Sequence, residues 1–183
     1  MSMEALIGIF NPLNLIKSVL KFFTKPRLKI YYDPKETYHK AVEVILNKLG
    51  LFCHVMVVNK GKETAKNCLG ELRKIQILND GRFDDASGYR NIMRLKWAHE
   101  KDYSPKDIDE IAKRLDVCYV FKGEDLVHFF TEKYPSGNQT DFPPGTYLVT
   151  VRVRCDNTSP VDKKFLIKYD SRNFDSLRIE DYK

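Results

Sequence analysis

The residues in this 183-residue chain whose types could do chemistry are first of all the carboxylates of one loop. In "NDGRFDDASGYRN", residues 79 to 91, Asn79, Asp80, Asp84 and Asp85 gather oxygen donors on a Gly-containing turn, the ligand type that calcium takes. Their spacing is not that of the EF-hand, and no Glu occupies its last ligand position. The loop therefore reads first as a solvated turn, with Asp80, Asp84 and Asp85 as a weak calcium candidate. The four histidines, His39, His54, His99 and His128, are scattered, and none stands at ligand spacing from another. His54 follows Cys53 on a strand, which sends the two side chains to opposite faces and argues against a shared metal. There is no G-x-S-x-G elbow, H-E-x-x-H, P-loop or G-x-G-x-x-G after a strand. An enzyme would need Asp84, Asp85, His99 and Asp116 to converge within hydrogen-bond reach, and no spacing brings them together. The sequence thus predicts no catalytic residue and no cofactor.

The cysteines, Cys53, Cys68, Cys118 and Cys155, form no C-x-x-C pair. Three lie in apolar runs, where a free cysteine packs as a small hydrophobe, so all four are expected reduced and structural. No secretory signal is visible: the start lacks a basic n-region and a small-residue cleavage site. The expectation is an intracellular protein, peripheral to a membrane or cytoplasmic. The sequons Asn138-Gln139-Thr140 and Asn157-Thr158-Ser159 carry no meaning without secretion.

The net charge of +6 raises nucleic acid as a partner, so its position matters. Lys17, Lys21, Lys25, Arg27 and Lys29 stand against only Glu4 in residues 1 to 29, leaving +4 there and +2 for the rest of the chain. A phosphate-binding protein needs its basic face on the folded body, so no nucleic acid is expected. The basic excess belongs instead to "NPLNLIKSVLKFF", residues 11 to 23. Asn11-Pro12 provides an N-cap and first-turn proline, and Pro26 provides a stop. At 100° per residue, Leu13, Leu15, Ile16, Val19, Leu20, Phe22 and Phe23 occupy one half of the wheel. Asn14, Lys17, Ser18, Lys21 and Lys25 occupy the other. The run is too polar to span a bilayer. Two uses compete for it. It lies flat on an anionic membrane surface through Leu13, Ile16, Val19, Leu20, Phe22 and Phe23, with Lys17 and Lys21 toward the headgroups. Alternatively the same apolar face docks on a partner protein or a second subunit.

Positioning all of these groups falls to the body of the chain, where from Arg27 the periodicity becomes that of strands. "RLKIYYD", "GLFCHVMVVNKGK", "NCLGELRKIQIL", "IMRLKWAHE", "RLDVCYVFKG", "LVHFFTEK", "FPPGTYLVTVRVRCDN" and "KKFLIKYD" make about eight strands without crossover helices. The clearest alternation sets Tyr147, Val149, Val151 and Val153 inward against Thr150, Arg152 and Arg154. Trp97, Val55, Val151 and Tyr119 are expected in the core. Residues 37 to 50 and 104 to 115 fit helix and strand alike. Many short antiparallel strands in about 145 residues predict a mainly β, two-sheet antiparallel sandwich behind an N-terminal amphipathic helix. The boundaries are 1–26 for the helix segment, 27–170 for the sandwich and 171–183 for a C-terminal tail.

The "V-x-N-x-G" hairpin at residues 57 to 61, the later "LKWAHE" and "DIDEIAKRLDV", and the "P-P-G-x-Y" turn at 143 to 147 give this chain a family resemblance. Over about residues 27 to 170 it resembles uncharacterised prokaryotic immunoglobulin-like β-sandwich domains, similar to the cell-adhesion-related domain found in bacteria. The resemblance implies an immunoglobulin-like sandwich behind a membrane-associated N-terminal segment, and it implies no activity. The front segment here is amphipathic where such proteins have a spanning one. In "YPSGNQTDFPPG", residues 134 to 145, Tyr134 and Phe142 are candidates for partner contact at one end of the sandwich. The function expected is a non-catalytic binding or scaffolding module held at a membrane surface. The alternative is a soluble interaction module that dimerises or docks through the helix.

Overall fold

A computed structural model describes residues 24–43, 47–90, 92–132 and 139–182. The amphipathic segment at residues 11 to 23 lies outside the described residues. In chain order the strands are β1 (Leu28–Tyr31), β2 (Tyr38–Glu43), β3 (Lys48–Asn59), β4 (Ala65–Asn79), β5 (Arg82–Asp85), β6 (Met93–Leu95) and β7 (Lys106–Ile108). They continue with β8 (Lys113–Phe121), β9 (Val127–Phe129), β10 (Asp141–Phe142), β11 (Gly145–Cys155), β12 (Thr158–Tyr169) and β13 (Arg178–Asp181). Among the described residues of the two ambiguous stretches, β2 and the start of β3 are strand in one, and β7 and the start of β8 in the other.

Two antiparallel sheets result. In the first, β3 pairs with β8 along one edge, while β1 and β2 share its other edge, and β9 and β10 extend beyond β8. In the second, the order is β13-β12-β11-β4, with β5, β6 and β7 along the far edge of β4. The period-two pattern explains the core. Cys53, Val55 and Val57 of β3 and Leu115 of β8 meet Leu72, Ile75, Tyr147, Val149, Val151 and Val153 of the second sheet, all buried. Trp97, Val55 and Val151 are core residues, as the alternation predicts.

The "V-x-N-x-G" stretch is corrected from a hairpin to a connection: β3 and β4 do not pair, and residues 57 to 61 lead from the first sheet to the second. Asn59 is buried, and its Oδ1 accepts from the backbone N–H of Arg27 (2.9 Å) and of Gly61 (2.8 Å). Its Nδ2 donates to Glu63 O at 2.6 Å, so one side chain pins the β3–β4 connection to the segment that enters the domain. Gly61 is required because that entering chain passes against it. A Cβ there would overlap the Lys25 carbonyl oxygen and come within 2.8 Å of Pro26 Cα.

Three departures from simple alternation shape the molecule. Residues 93 to 98 change sheets: β6 pairs with β4, then Asp116 N donates to Lys96 O and Ala98 N to Arg114 O, both at 2.9 Å. Trp97 forms a bridge with Leu115 there, so this segment stitches one side of the sandwich shut. Second, residues 171 to 182 are no tail. β13 pairs with β12, and Leu177 and Ile179 are fully buried, which places them in the body of the domain. Third, β8 carries a bulge. Cys53 faces Cys118 and His54 faces Asp116, leaving Val117 as an extra residue.

The expectation of four reduced cysteines is corrected as well: Cys68 and Cys155 form a disulfide. Cys68 directly precedes the part of β4 that pairs with β11, and Cys155 ends β11, next to the register partners Leu69 and Arg154. Their Cα atoms lie 4.2 Å apart although 87 residues separate them in sequence. Cys53 and Cys118 are free and buried.

Candidate functional site

The bulge at Val117 decides what the outer face of the first sheet presents. Uninterrupted alternation from Leu115 would send Tyr119 into the core, as the sequence predicts. One extra residue reverses the parity, so Cys118 and Val120 point in and Tyr119 points out, half-buried. Tyr119 then stands opposite Phe52 on β3 and His128 on β9. His39 of β2 lies opposite Phe52 on its other side.

A row of rings crosses four strands in consequence. His128 stacks on Tyr119 with centroids 4.8 Å apart, Tyr119 on Phe52 at 5.7 Å, and His39 follows at 6.4 Å. Phe130 completes the group at 4.5 Å from Tyr119 and 5.9 Å from Phe52. Such cross-strand ring pairs stabilise a sheet, but Phe52, Tyr119 and Phe130 stay partly exposed and His39 is exposed. Lys96 Nζ sits 5.5 Å over the Phe130 ring. Beside the row, Tyr103, Tyr119, His128, Phe130 and Asp141 line a cleft of about 240 Å³. A larger cleft of about 460 Å³ lies farther along the same face, between Met56, Arg114 and the turn of Trp97 to Glu100.

The ionisable groups here are occupied by each other. His128 Nδ1 lies 2.8 Å from Asp141 Oδ1, and its Nε2 lies 3.0 Å from Glu124 Oε2. Only the doubly protonated ring donates to both. Glu124 is also ion-paired with Lys48, and that bond, with a smaller one from His128, holds its carboxyl below the usual range against the opposing effect of burial. Burial pushes the Tyr119 hydroxyl up to about 12, with the charge of Asp141 adding to it, so it stays a neutral donor. His54 and Asp116 form a pair at 2.6 Å across β3 and β8, with side chains 8% and 7% exposed. Both rings are clamped by carboxylates, and the His54 pair lies out of reach of solvent. What this face offers outward is ring surface with a charged rim.

The other sequence-derived candidates are dispersed. Leu13, Ile16, Lys17, Val19, Leu20, Lys21, Phe22, Phe23 and Tyr134 lie outside the described residues. Phe142 is corrected from a contact residue to a core one: it is 1% exposed, packed against Phe129 and Tyr147. Asp80, Asp84 and Asp85 surround the β4–β5 turn without converging. Asp84 and Asp85 are consecutive on a strand and so face opposite ways, Asp84 toward Arg82 (3.3 Å) and Asp85 toward Lys74 (2.7 Å). Among the described residues no group of three or more His, Cys, Asp or Glu side chains gathers to hold a metal ion. Asp84 and Asp85 are on the second sheet, Asp116 is on the first, and His99 occupies a turn at φ 66°.

Sequence reasoning missed the ring row because the bulge hides it. The one available signal was the density of rings in these segments, Phe52, Tyr119, Phe121, His128 and Phe130. No protein-family model matches the chain, and neither a curated protein nor a solved structure matches it. Among the described residues no helix is long and apolar enough to cross a membrane.

Proposed function

We propose that this chain is a non-catalytic binding or scaffolding module. Residues 11 to 25 hold it at an anionic membrane surface, and the outer face of the first sheet receives a partner protein. The observation that carries the binding reading is the row of partly exposed rings, Phe52, Tyr119 and Phe130, beside the mostly buried His128 and inside a rim of ion pairs. Aromatic anchors surrounded by polar groups are the ordinary composition of a protein-recognition surface. The membrane part rests on the division of the wheel in residues 11 to 25 and on the lysines along its polar half.

Immunoglobulin-like kinship belongs to the same proposal. Its support is the pair of antiparallel sheets, the core tryptophan Trp97 and the Tyr147 hydroxyl, which donates back to the Pro143 carbonyl at the start of β11. The Cys68–Cys155 disulfide adds a constraint on location. Such bonds persist in oxidising compartments and, among intracellular proteins, chiefly in those of hyperthermophiles.

Two measurements test the proposal. For the membrane part, the full chain is expected to sediment with phosphatidylserine-containing vesicles at low salt, less so at high salt. A chain beginning at Pro26, or one carrying Lys17→Glu with Lys21→Glu, is expected to stay in solution. If the full chain ignores the vesicles while loss of residues 1 to 25 changes its oligomeric size, the segment is a protein-docking helix. For the ring row, Phe130→Ser is compared with Phe142→Ser. The buried ring should cost about 3–5 kcal/mol on truncation, and the half-covered one clearly less. Equal costs would make Phe130 a structural ring and remove the basis for a recognition face.

A further inference from the structure

Cys53 and Cys118 are direct register partners on β3 and β8, the two central strands of the first sheet. Both are free, and both are fully buried on the inward side. Directly opposed residues of antiparallel strands have Cα atoms about 4.5–5.5 Å apart, inside the roughly 4.4–6.8 Å window of disulfides. Directly opposed residues send their side chains from the same face of the sheet side by side, so closure needs no strand to move away from its neighbour. The same polypeptide closes Cys68 to Cys155 across β4 and β11, which hold the equivalent central place in the second sheet.

We propose that Cys53 and Cys118 are a covalent modification site: a vicinal dithiol that a disulfide oxidant converts to a second cross-strand disulfide. The step balances with one low-molecular-weight disulfide such as oxidised glutathione. One cysteine thiolate attacks it, forming a mixed disulfide and releasing one glutathione thiol. The second cysteine then attacks the protein sulfur of that mixed disulfide, releasing the other. Two electrons pass to the oxidant, and the two thiol protons leave on the two glutathione molecules. Burial, followed by the neighbouring Cys118 thiol, raises the Cys53 pKa and disfavours the attacking thiolate. Closure is therefore slow in the folded protein and fast while the chain folds. The inference is independent of what the outer face binds.

The full chain is unfolded in urea with reductant, refolded in a glutathione redox buffer, then alkylated and analysed by intact mass and peptide mapping. The expected product is about 4 Da lighter than the fully reduced protein, with Cys53 linked to Cys118. The double variant Cys68→Ala, Cys155→Ala is expected to lose about 2 Da through the same link. The linked peptide from the wild-type chain alone also supports the proposal if that variant does not fold. A refolded wild-type chain with only Cys68–Cys155 closed and both remaining thiols alkylated would overturn it. So would a stable glutathione adduct on either Cys53 or Cys118, because a thiol in contact resolves such an adduct.

Discussion

Opening the Cys68–Cys155 bond is the perturbation with the largest effect that the structure allows to be worked out. The bond closes a loop with a sequence separation of 87 residues. In the chain-entropy description, such a cross-link removes about 15 cal/mol/K from the unfolded chain, worth about 4.6 kcal/mol at room temperature. For a domain of this size each kcal/mol moves the midpoint roughly 2–4 °C, so the expected loss is about 9–18 °C. Cys and Ala are both small and apolar, so the side-chain change in Cys68→Ala with Cys155→Ala is minor beside the cross-link term. The assay is urea unfolding followed by circular dichroism, on the chain with only Cys68–Cys155 closed and, both kept in dithiothreitol, on the same chain refolded and on the double variant. Reduction is done in the unfolded state because Cys68 is fully buried. The reduced chain and the variant should unfold together, at lower urea than the oxidised chain, with a steeper transition because their unfolded states are more expanded. Superimposable curves for all three would refute the reasoning, since a closed loop of that length must restrict the unfolded state.

Val151 is fully buried on β11 between β4 and β12, so Val151→Asp should cost several kcal/mol and abolish cooperative unfolding. Thr150→Asp, on the opposite side of the same strand, should shift stability by only about 0.5 kcal/mol in the same assay. Gly61→Ala forces a methyl against the Lys25 carbonyl and should cost about 1–3 kcal/mol; an unchanged midpoint would show that the entering chain does not pass there. Asp162 is held below its ordinary pKa first by its bonds to Arg152 and then by Arg73. The stability it contributes is present above the ordinary carboxyl range and is lost as pH falls through its depressed folded value. Asp162→Asn should therefore lower stability at neutral pH and flatten the acid limb, as read by thermal melts from pH 7 to about 2.

Much of the architecture was legible along the chain because the inward and outward faces of a strand are written in adjacent residues. The run Tyr147, Val149, Val151, Val153 has one reading, and the structure buries all four. Asn59 and Gly61 marked the end of a strand because that is a local signal; which strands the connection joins is not, and it leads from one sheet to the other rather than closing a hairpin. The stretches at 37 to 50 and 104 to 115 stayed ambiguous because their apolar spacing satisfies both periods; among the described residues, pairing resolved 38–43, 48–50, 106–108 and 113–115 as strand.

What only the tertiary structure decided depends on which strands become neighbours. Cys155 shows no preference for Cys68 in sequence, since the 87-residue separation is closed only when β4 pairs with β11. The C-terminal residues looked like a tail until β12 offered an edge and the core offered room for Leu177 and Ile179. Tyr119 looked like a core residue because alternation counted from Leu115 puts it inside. A single extra residue, Val117, is accommodated only because β3 supplies His54 to pair with Asp116 on one side of it and Cys53 to face Cys118 on the other. Alternation is a property of a strand, and a bulge is a property of a pair. The outer ring row, and with it the candidate recognition face, therefore could not be read from β8 alone.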